Sequence, residues 1–308
     1  AIFSIAALVG NTQVPQNFTV QPVKKIYTKF QNPLIKSGLQ TAVSIINGKA
    51  YLDGDIFLGT VAELDAFQSR ITGLSVTQDD NVFINSRWSN GIVPFIIQNG
   101  FTDAEKEIII DAMNHIASNT NVCFRLRTTE AHYIKFKKYT AQQLGFSGGS
   151  SYLGKCSYCI DGQEISLSSV SNRVVRHEIC HALGLLHEQS REDRNNFVEI
   201  LTDNILSGME HNFQQAIYTS TDVGTYDFAS IMHYFSTAFG KTTKAAGTLQ
   251  TIKRKSNPSD QSFGNTQVLS NGDKQGINSM YTTNQSCATL HVLAPGELDV
   301  GETKIVTI

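Results

Sequence analysis

The pattern of apolar and polar positions divides the chain into a first part that predicts β-structure and a later part that mixes helices with strands. Residues 1–78 alternate short apolar runs with turn signals, and Asn47-Gly48 between two apolar runs predicts a hairpin turn. From Thr102 to about residue 120, apolar positions recur with helical spacing, and Glu105 completes a capping-box pattern with Thr102. The chain is therefore expected to adopt an α+β fold.

Shorter segments surround a second predicted helix. Residues 122–124 and 132–136 have strand-like composition, and the alternation over residues 163–167 predicts an edge strand. Residues 145–149 have the glycine content of a flexible loop. The second helix is predicted over residues 171–184, and its polar positions are unusual because they carry several histidines.

This second helix carries the pattern H-E-x-x-H-x-x-G-x-x-H, which begins at His177. His177 and His181 lie four residues apart, so both imidazoles leave one helical face and can bind the same metal ion. Gly184 can take the left-handed conformation that ends a helix and turns the chain back, which brings His187 to that ion. Three imidazoles with an open fourth position are typical of one catalytic zinc ion, and Glu178 is placed as a general base.

The residues after the third histidine continue as E-x-x-R-x-D-R, and the run S-I-M-H-Y follows at residues 230–234. With the histidine pattern, these residues resemble the astacin family of metzincin zinc endopeptidases, in a bacterial-type proenzyme form. The resemblance covers roughly residues 86–287. It implies a two-subdomain catalytic domain in which a twisted mixed sheet and helices lie above a cleft, an irregular half lies below it, and zinc lies between.

The resemblance also implies roles for residues outside the histidine pattern. Tyr234 is expected to be a movable further zinc ligand that also hydrogen-bonds the oxyanion of the substrate. Met232 is expected to support the ligands from below, and Glu188 to meet the new N-terminal amine after a pro-segment is cut. Near residue 55 the sequence is similar to the family's inhibitory motif F-x-G-D. Asp55 is therefore the expected blocking zinc ligand, and Asp53 is the alternative.

These assignments imply a proenzyme made of three regions: an inhibitory pro-segment over residues 1–78, an astacin-like catalytic domain over residues 79–287 and a C-terminal extension over residues 288–308. Matching Trp88 to the family's tryptophan puts the mature N-terminus near residues 78–81, and Arg70 is the alternative cut for a trypsin-like activator. The expected partners are protein or peptide substrates and an activating protease.

The chain has five cysteines, an odd number that predicts two bridges and one free thiol in an exported protein. Cys123 and Cys287 match the long bridge of the family. Cys156 and Cys159 are expected to form a local bridge, because a redox pair or a second zinc site would need partners that the sequence does not offer. Cys180 is expected to pack as a small apolar residue.

Charge and composition exclude several classes of partner. A net charge of −2 gives no basic field for nucleic acid or an anionic membrane, and no run of 18 apolar residues is present. A secreted monomer is expected. Two alternatives stay open: a zinc-binding interaction module without turnover, and a thermolysin-like hydrolase whose third ligand is a downstream glutamate such as Glu199. The remaining histidines are isolated and are expected to be packed or surface side chains: His115, His132, His211 and His291.

Overall fold

The computed structural model describes residues 24–26, 41–65, 85–159, 161–215, 220–245, 247–282, 287 and 290. Its main feature is a mixed sheet of nine strands. In chain order these strands are β1 (Lys24–Ile26), β2 (Thr41–Ile46), β3 (Lys49–Leu52), β4 (Ile56–Thr60), β6 (Ile92–Ile97), β7 (Cys123–Leu126), β8 (Ile134–Lys138), β9 (Gly149–Ser151) and β11 (Gln163–Leu167). Across the sheet the order is β1-β2-β3-β4-β9-β11-β8-β6-β7.

Six short strands pair outside this sheet. They are β5 (Asn85–Ser86), β10 (Lys155–Cys156), β12 (Val198–Ile200), β13 (Thr242–Thr243), β14 (Gly247–Thr248) and β15 (Ile252–Arg254). Strand β5 pairs with β10, β12 with β15, and β13 with β14. Between residues 184 and 270 the described chain otherwise consists of turns and short 3₁₀ segments, which form the irregular half of the molecule.

Four α-helices are bounded within the described residues: α1 (Asp103–Asn119), α2 (Ala141–Leu144), α3 (Asn172–Leu183) and α4 (Asn271–Met280). A further helical segment covers residues 61–65. The predicted capping box at the start of α1 is confirmed, since the Thr102 side chain accepts from the Glu105 amide and Glu105 accepts from the Thr102 amide. None of the described helices is long and apolar enough to cross a bilayer.

The main core lies between the sheet and the two long helices. Phe95, Phe136 and Ile165 on the sheet are fully buried in one cluster with Ile109 of α1 and Ile179 of α3. Burial of this many large apolar side chains supplies the dominant stabilising term, at roughly 25 cal/mol per Å² of apolar surface. The core thus fixes α3, and with it the histidine-bearing face, beneath the sheet. This arrangement confirms the α+β prediction.

The N-terminal strands join the sheet of the later part of the chain. The predicted hairpin at Asn47-Gly48 is confirmed: it joins β2 to β3, and its two residues have φ of 50° and 75°. Strand β4 then lies parallel to β9, with Ile56 opposite Ser151. The Ser151 amide donates to the main-chain oxygen of Asp55 at 3.2 Å. Asp55 therefore lies at the point where the N-terminal strands, through β4, join the rest of the sheet at β9.

One strand prediction is wrong. Residues 163–167 do not form an edge, because β11 lies between β8 and β9. Alternation reports that one face of a strand is buried, and here Ile165 and Leu167 lie in the core. It does not report how many neighbouring strands supply hydrogen bonds. The strand predicted over residues 132–136 is also shifted, since it covers Ile134–Lys138.

Candidate metal centre and active site

Four buried side chains converge at the inner face of α3. His177, His181, His187 and Asp55 each offer one ligand atom, and these atoms lie within 4.8 Å of one another. All four residues are at most 3% exposed. The structure therefore brings together the three histidines of the sequence pattern with the one aspartate that resemblance picks out from the first part of the chain.

Main-chain carbonyl groups orient the first two imidazoles. His177 Nδ1 lies 2.9 Å from the oxygen of Ile231, and His181 Nδ1 lies 2.8 Å from the oxygen of Leu185. A carbonyl oxygen only accepts, so each Nδ1 carries the hydrogen and donates. The Nε2 atoms are then left with lone pairs that point into the cluster. Such backing of metal-binding histidines is the usual way in which a protein fixes the tautomer and the ring orientation.

The third histidine arrives through the turn at Gly184. This residue ends α3 with φ of 113°, and its amide lies within hydrogen-bonding distance of the oxygens of Cys180 and His181. An L-residue with a side chain is strained in this conformation, so the turn favours glycine. The chain reverses and brings His187 Nε2 to 3.3 Å from His177 Nε2.

The Asp55 carboxylate faces all three imidazoles. Its Oδ2 is 3.3 Å from His177 Nε2, and its Oδ1 is 3.3 Å from both His181 Nε2 and His187 Nε2. Burial opposes ionisation of this carboxyl, yet the three histidines together hold its pKa well below the usual range. The carboxylate therefore stays charged and serves as a fourth donor to the same point.

Burial and charge move the histidines in opposite directions. Burial lowers the pKa of His177 to about 4. Burial acts in the same sense on His187, but the Asp55 and Asp53 carboxylates outweigh it and raise its pKa to about 9. The difference reflects how many carboxylates each ring faces.

The donor set fits a zinc ion. His181 Nε2 and Asp55 Oδ1 are buried and have no hydrogen-bond partner among the described residues. Orphaned buried polar atoms are costly, and a cation between them removes that cost. Imidazole nitrogens with one carboxylate oxygen are ligands that zinc prefers, and the structure supports the predicted single zinc ion.

Asp53 lies on the other side of His187 and is not part of the four-residue cluster. It is fully buried, with its carboxylate Oδ2 3.8 Å from His187 Nδ1. The same oxygen accepts a hydrogen bond of 2.8 Å from the Ser190 hydroxyl. Two aspartates of the N-terminal part thus flank one imidazole, Asp55 at Nε2 and Asp53 towards Nδ1.

Tyr234 packs beside the third histidine and contacts the N-terminal part. Its ring centroid lies 4.6 Å from that of His187. Its hydroxyl donates to the main-chain oxygen of Asp53 in a short hydrogen bond. Its amide donates to Gln189 Oε1 at 3.0 Å, which ties the turn containing Met232 to the segment after the third histidine. Met232 itself is buried in the main core, as an apolar support would be.

Glu178 is almost completely buried beside the cluster. Burial, with the neighbouring Asp55 charge, raises the pKa of its carboxyl well above the ordinary value, and the Arg173 guanidinium opposes this. Its Oε2 has no partner among the described residues. A Cβ on Gly149 would lie only 2.5 Å from Glu178 Cγ, so the absence of a side chain on β9 makes room for the carboxylate. Gly149 was missed by sequence reasoning, which treated it as part of a flexible loop.

Glu188 lines a cavity of about 390 Å³, which His187 also borders. Its Oε1 accepts from the Asp227 amide at 2.7 Å and lies 3.6 Å from Arg191 Nε. Burial raises the pKa of Glu188 to about 7. Arg191 is also held by two contacts of 2.9 Å to Asp193. The Glu188 carboxyl is therefore held at the cavity by Asp227 and by an arginine, Arg191, that is itself held in place.

The cysteines and the other described histidines take no part in the cluster. Bridges join Cys123 to Cys287 and Cys156 to Cys159, while Cys180 is buried and free. Glu199, the third ligand in the thermolysin-like alternative, lies on β12 and forms an ion pair with Lys253. The thermolysin-like alternative is therefore wrong. Four predictions fall wholly or largely outside the described residues: the cleavage sites at 78–81 and Arg70, His291, and the extension over residues 288–308.

Comparison with known proteins agrees with this geometry. Residues 80–282 match the family model that describes the astacin family of peptidases. The chain belongs to the astacin family, whose members are zinc metalloendopeptidases, so the family that the motifs predict is confirmed.

Individual relatives cover different shares of the chain. Meprin A subunit beta of Rattus norvegicus is 32% identical over 266 residues, which are 83% of this chain and 35% of the relative. The low choriolytic enzyme of Oryzias latipes is 35% identical over 205 residues, 63% of this chain and 69% of the relative. The chain thus spans only about a third of the length of the meprin subunit.

Among solved structures, the chain is similar to high choriolytic enzyme 1, a hatching enzyme zinc-protease from Oryzias latipes. The TM-score is 0.55 at 28% identity, and the match covers 68% of this chain and 99% of that one. The fold is therefore similar to that of a solved zinc-protease.

Proposed function

We propose that this chain is the latent proenzyme of a secreted zinc endopeptidase, in which residues 1–78 inhibit a catalytic domain over residues 79–287. The observation that carries the proposal is the Asp55 carboxylate, which lies 3.3 Å from the Nε2 atom of each of the three histidines. A carboxylate in that place takes the position that a reacting water molecule and a peptide carbonyl need. The zinc site and its inhibitor are then parts of one polypeptide.

In the processed protein, His177, His181 and His187 hold the metal. A zinc ion bound there supplies a Lewis acid that polarises the peptide carbonyl and makes water acidic enough to react at neutral pH. Departure of Asp55 removes one of the two causes that raise the pKa of Glu178. Glu178 then takes up the proton of the attacking water on a carboxylate oxygen and delivers it to the leaving amine nitrogen. The Tyr234 hydroxyl donates a hydrogen bond to the oxyanion that forms on the substrate.

Two contacts block the catalytic groups in the proenzyme. Asp55 fills the space among the imidazoles, so substrate cannot reach the metal site. Asp53 engages the Tyr234 hydroxyl through its main-chain oxygen, so this hydroxyl is already used. Latency therefore rests on one side-chain contact and one main-chain contact, both supplied by the same turn.

Maturation involves the cavity beside Glu188. A cut between residues 78 and 81 by an activating protease would create a new amine, and the largely buried Glu188 carboxyl lines a cavity of about 390 Å³ that could receive it. Pairing with a cation removes the cost of charging a buried carboxyl. The new N-terminus would then anchor the segment that follows His187.

Two disulfides and the loop-rich lower half support export to an oxidising compartment. We expect a monomer that acts on protein or peptide substrates, without nucleic acid or membrane partners. Of the proposed extension over residues 288–308 the structure describes Leu290, whose main chain forms hydrogen bonds of 2.8 and 2.9 Å with the Asn114 side chain of α1.

The proposal is tested with two variants. Protein processed near residue 79 and separated from the cut fragment should cleave an unfolded protein, and Glu178→Ala should remove that activity while zinc content stays at one per chain. Equal activity of the variant would refute the role of Glu178, and a processed parent without turnover would favour the interaction-module alternative.

Latency is tested separately in the full chain. Asp55→Ala should release activity or accelerate self-processing, whereas the parent should stay silent. Asp55→Asn is the matched control, because it keeps the side-chain shape and removes the charge. If Asp53→Ala releases activity while Asp55→Ala stays silent, the blocking residue is Asp53.

A further inference from the structure

The outer face of the sheet carries a row of side chains that crosses the boundary between the proposed pro-segment and the catalytic domain. Ser151 lies opposite Ile56 of β4 and opposite Ile165 of β11. The next positions along these strands are Phe57, Tyr152 and Glu164. The Phe57 and Tyr152 rings meet edge to face, with centroids 4.9 Å apart and planes at 74°. A side chain on β4 thus lies directly on Tyr152.

A lysine of the pro-segment reaches the same face. The Lys49 ammonium group lies 4.7 Å from the Tyr139 ring centroid and 5.7 Å from the Phe57 ring centroid. Burial lowers the pKa of Lys49, the Glu164 carboxylate opposes that effect, and the Lys137 ammonium group, 5.1 Å from the Tyr139 ring centroid, adds to the lowering. A half-buried ammonium is stabilised by ring faces and by a nearby carboxylate. Two of these groups, Tyr139 and Glu164, belong to the catalytic domain.

Glu164 and Tyr139 are held in place by contacts within the catalytic domain, without Lys49. Glu164 Oε2 accepts a hydrogen bond of 2.8 Å from the Tyr139 hydroxyl, and its Oε1 accepts one of 3.1 Å from Lys137 Nζ. These bonds hold the Tyr139 ring in place and hold the carboxylate against it. The pair therefore does not need Lys49 in order to keep its arrangement.

Removal of the pro-segment would change the neighbours of β9. Strand β4 is its partner on one side, so β9 would become an open edge, and such an edge binds an extended peptide by main-chain hydrogen bonds. A peptide side chain at the position of Phe57 would lie on Tyr152. Strands are about 4.8 Å apart, so Glu164 on β11 lies about 10 Å from a residue in the place of β4, and the two side chains together span that gap across β9. The Tyr139 hydroxyl reaches the same carboxylate from beyond β11.

We propose that Tyr139, Tyr152 and Glu164 form a substrate subsite that binds a lysine or arginine side chain, two residues along the peptide from the position that Asp55 takes at the histidines. The apolar stem packs on Tyr152, and the cationic head lies over Tyr139 beside Glu164. Lys49 and Phe57 together fill this subsite in the proenzyme. This inference rests on the proposed function, because it requires the pro-segment to leave.

The test uses protein processed near residue 79 and separated from the cut fragment, with a peptide library that has every residue at each position around the cut. Mass spectrometry of the products should show lysine and arginine enriched at one position. At that position, lysine should exceed norleucine, which has a similar stem and no charge, by about fivefold in kcat/KM. Glu164→Gln keeps an oxygen that can accept from Tyr139, and it should reduce the ratio to about one.

Controls separate this subsite from general effects. Glu130→Gln removes a carboxylate that pairs with Arg125 away from this site, and it should leave the ratio unchanged. Tyr139→Leu should reduce the ratio as Glu164→Gln does. Absence of basic enrichment, or enrichment that persists in both variants, overturns the inference.

A binding measurement keeps the two proposals distinguishable. Processed Glu178→Ala protein should bind the lysine peptide about fivefold more tightly than the norleucine peptide, and Glu164→Gln in the same background should remove the difference. If the processed parent cleaves no peptide, the proposed function fails, while equal affinities for the two peptides refute the subsite itself.

Discussion

The Tyr234 hydroxyl donates a hydrogen bond to the main-chain oxygen of Asp53, a residue 181 positions earlier in the chain. Asp53 and Asp55 come from one tight turn, in which Asp53 has φ of 47° and Gly54 has φ of 87°. The turn presents a main-chain oxygen to Tyr234 and a carboxylate to the histidines. The turn at residues 53–55 therefore contacts both the Tyr234 hydroxyl and the zinc-binding histidines, the two parts of the site that are expected to act on the substrate carbonyl.

The first prediction concerns the Tyr234 hydroxyl. In the processed protein, Tyr234→Phe should lower kcat by about 100-fold with little change in KM, because only the transition state carries the oxyanion. Zinc content should be unchanged. Tyr226→Phe is the matched control, since its hydroxyl pairs with His233 Nε2 at 2.7 Å rather than with substrate. Steady-state kinetics on one peptide would decide, and a fall in both variants would point to a packing effect.

The second prediction concerns space beside the general base. Gly149→Ala would put a Cβ 2.5 Å from Glu178 Cγ and 2.8 Å from its Oε1, so the carboxylate must move. Activity of the processed protein should fall at least about tenfold with zinc still bound, since small displacements of a catalytic group are costly.

Gly276→Ala in α4 is the control, because its Cβ would meet only the end of the Leu185 side chain at 3.1 Å. Near-normal kcat in Gly149→Ala would show that Glu178 tolerates displacement.

The third prediction compares the two disulfides. The Cys123–Cys287 bridge spans 164 residues and the Cys156–Cys159 bridge spans 3. Loop entropy gives a stabilisation of about 5 kcal/mol for the long closure and about 2 kcal/mol for the short one. The free energy of unfolding in urea should therefore fall much further in Cys123→Ser/Cys287→Ser than in Cys156→Ser/Cys159→Ser. Equal losses would mean that strain or residual structure outweighs chain entropy.

The fourth prediction concerns pH and His211. Its Nε2 lies 3.0 Å from the Ser44 hydroxyl on β2, and burial lowers its pKa below 6.5. The folded state thus favours neutral His211, and as pH falls below 6.5 the unfolded chain takes up a proton that the folded chain resists. Stability of the full chain should therefore be greatest above pH 6.5 and fall on acidification.

Urea midpoints at several pH values would measure this effect. His211→Gln should flatten the dependence between about pH 7.5 and about pH 5.5, although other groups contribute to the slope. Ser44→Ala removes the partner without removing the titrating group, so it should lower the midpoint while the slope stays. An unchanged slope in His211→Gln would exclude this histidine as a source of acid sensitivity.

The sequence predicts the histidine cluster well because its geometry is local. Spacing within α3 and one turn at Gly184 determine where three imidazoles point, and no distant contact is needed. The carboxylate of Asp55 could be anticipated only by resemblance, since it arrives from over 120 residues earlier. The contact between Asp53 and Tyr234, and the space left by Gly149, were not anticipated, because both depend on how distant strands pair.

The wrong edge-strand prediction has the same origin. Periodicity at residues 163–167 reports the burial of one face, while the neighbours of a strand depend on where segments far along the chain lie. Here the segment that covers the expected edge includes residues 149–151, which are too short and too rich in glycine and serine to predict as a strand. The run of glycine and serine at residues 147–151 was the signal that the sequence offered for this segment.

Because one sheet runs without interruption from β1 through β9, cutting the chain does not by itself release the pro-segment. A nick between residues 65 and 85 breaks one covalent bond but leaves the strand pairing, the Tyr51 ring packed on Phe146 and both aspartates where they were. Directly after cleavage, the catalytic domain would still be in a tight complex with the cut fragment. The onset of proteolysis would then follow the departure of that fragment, and dilution or digestion of the fragment would govern its pace.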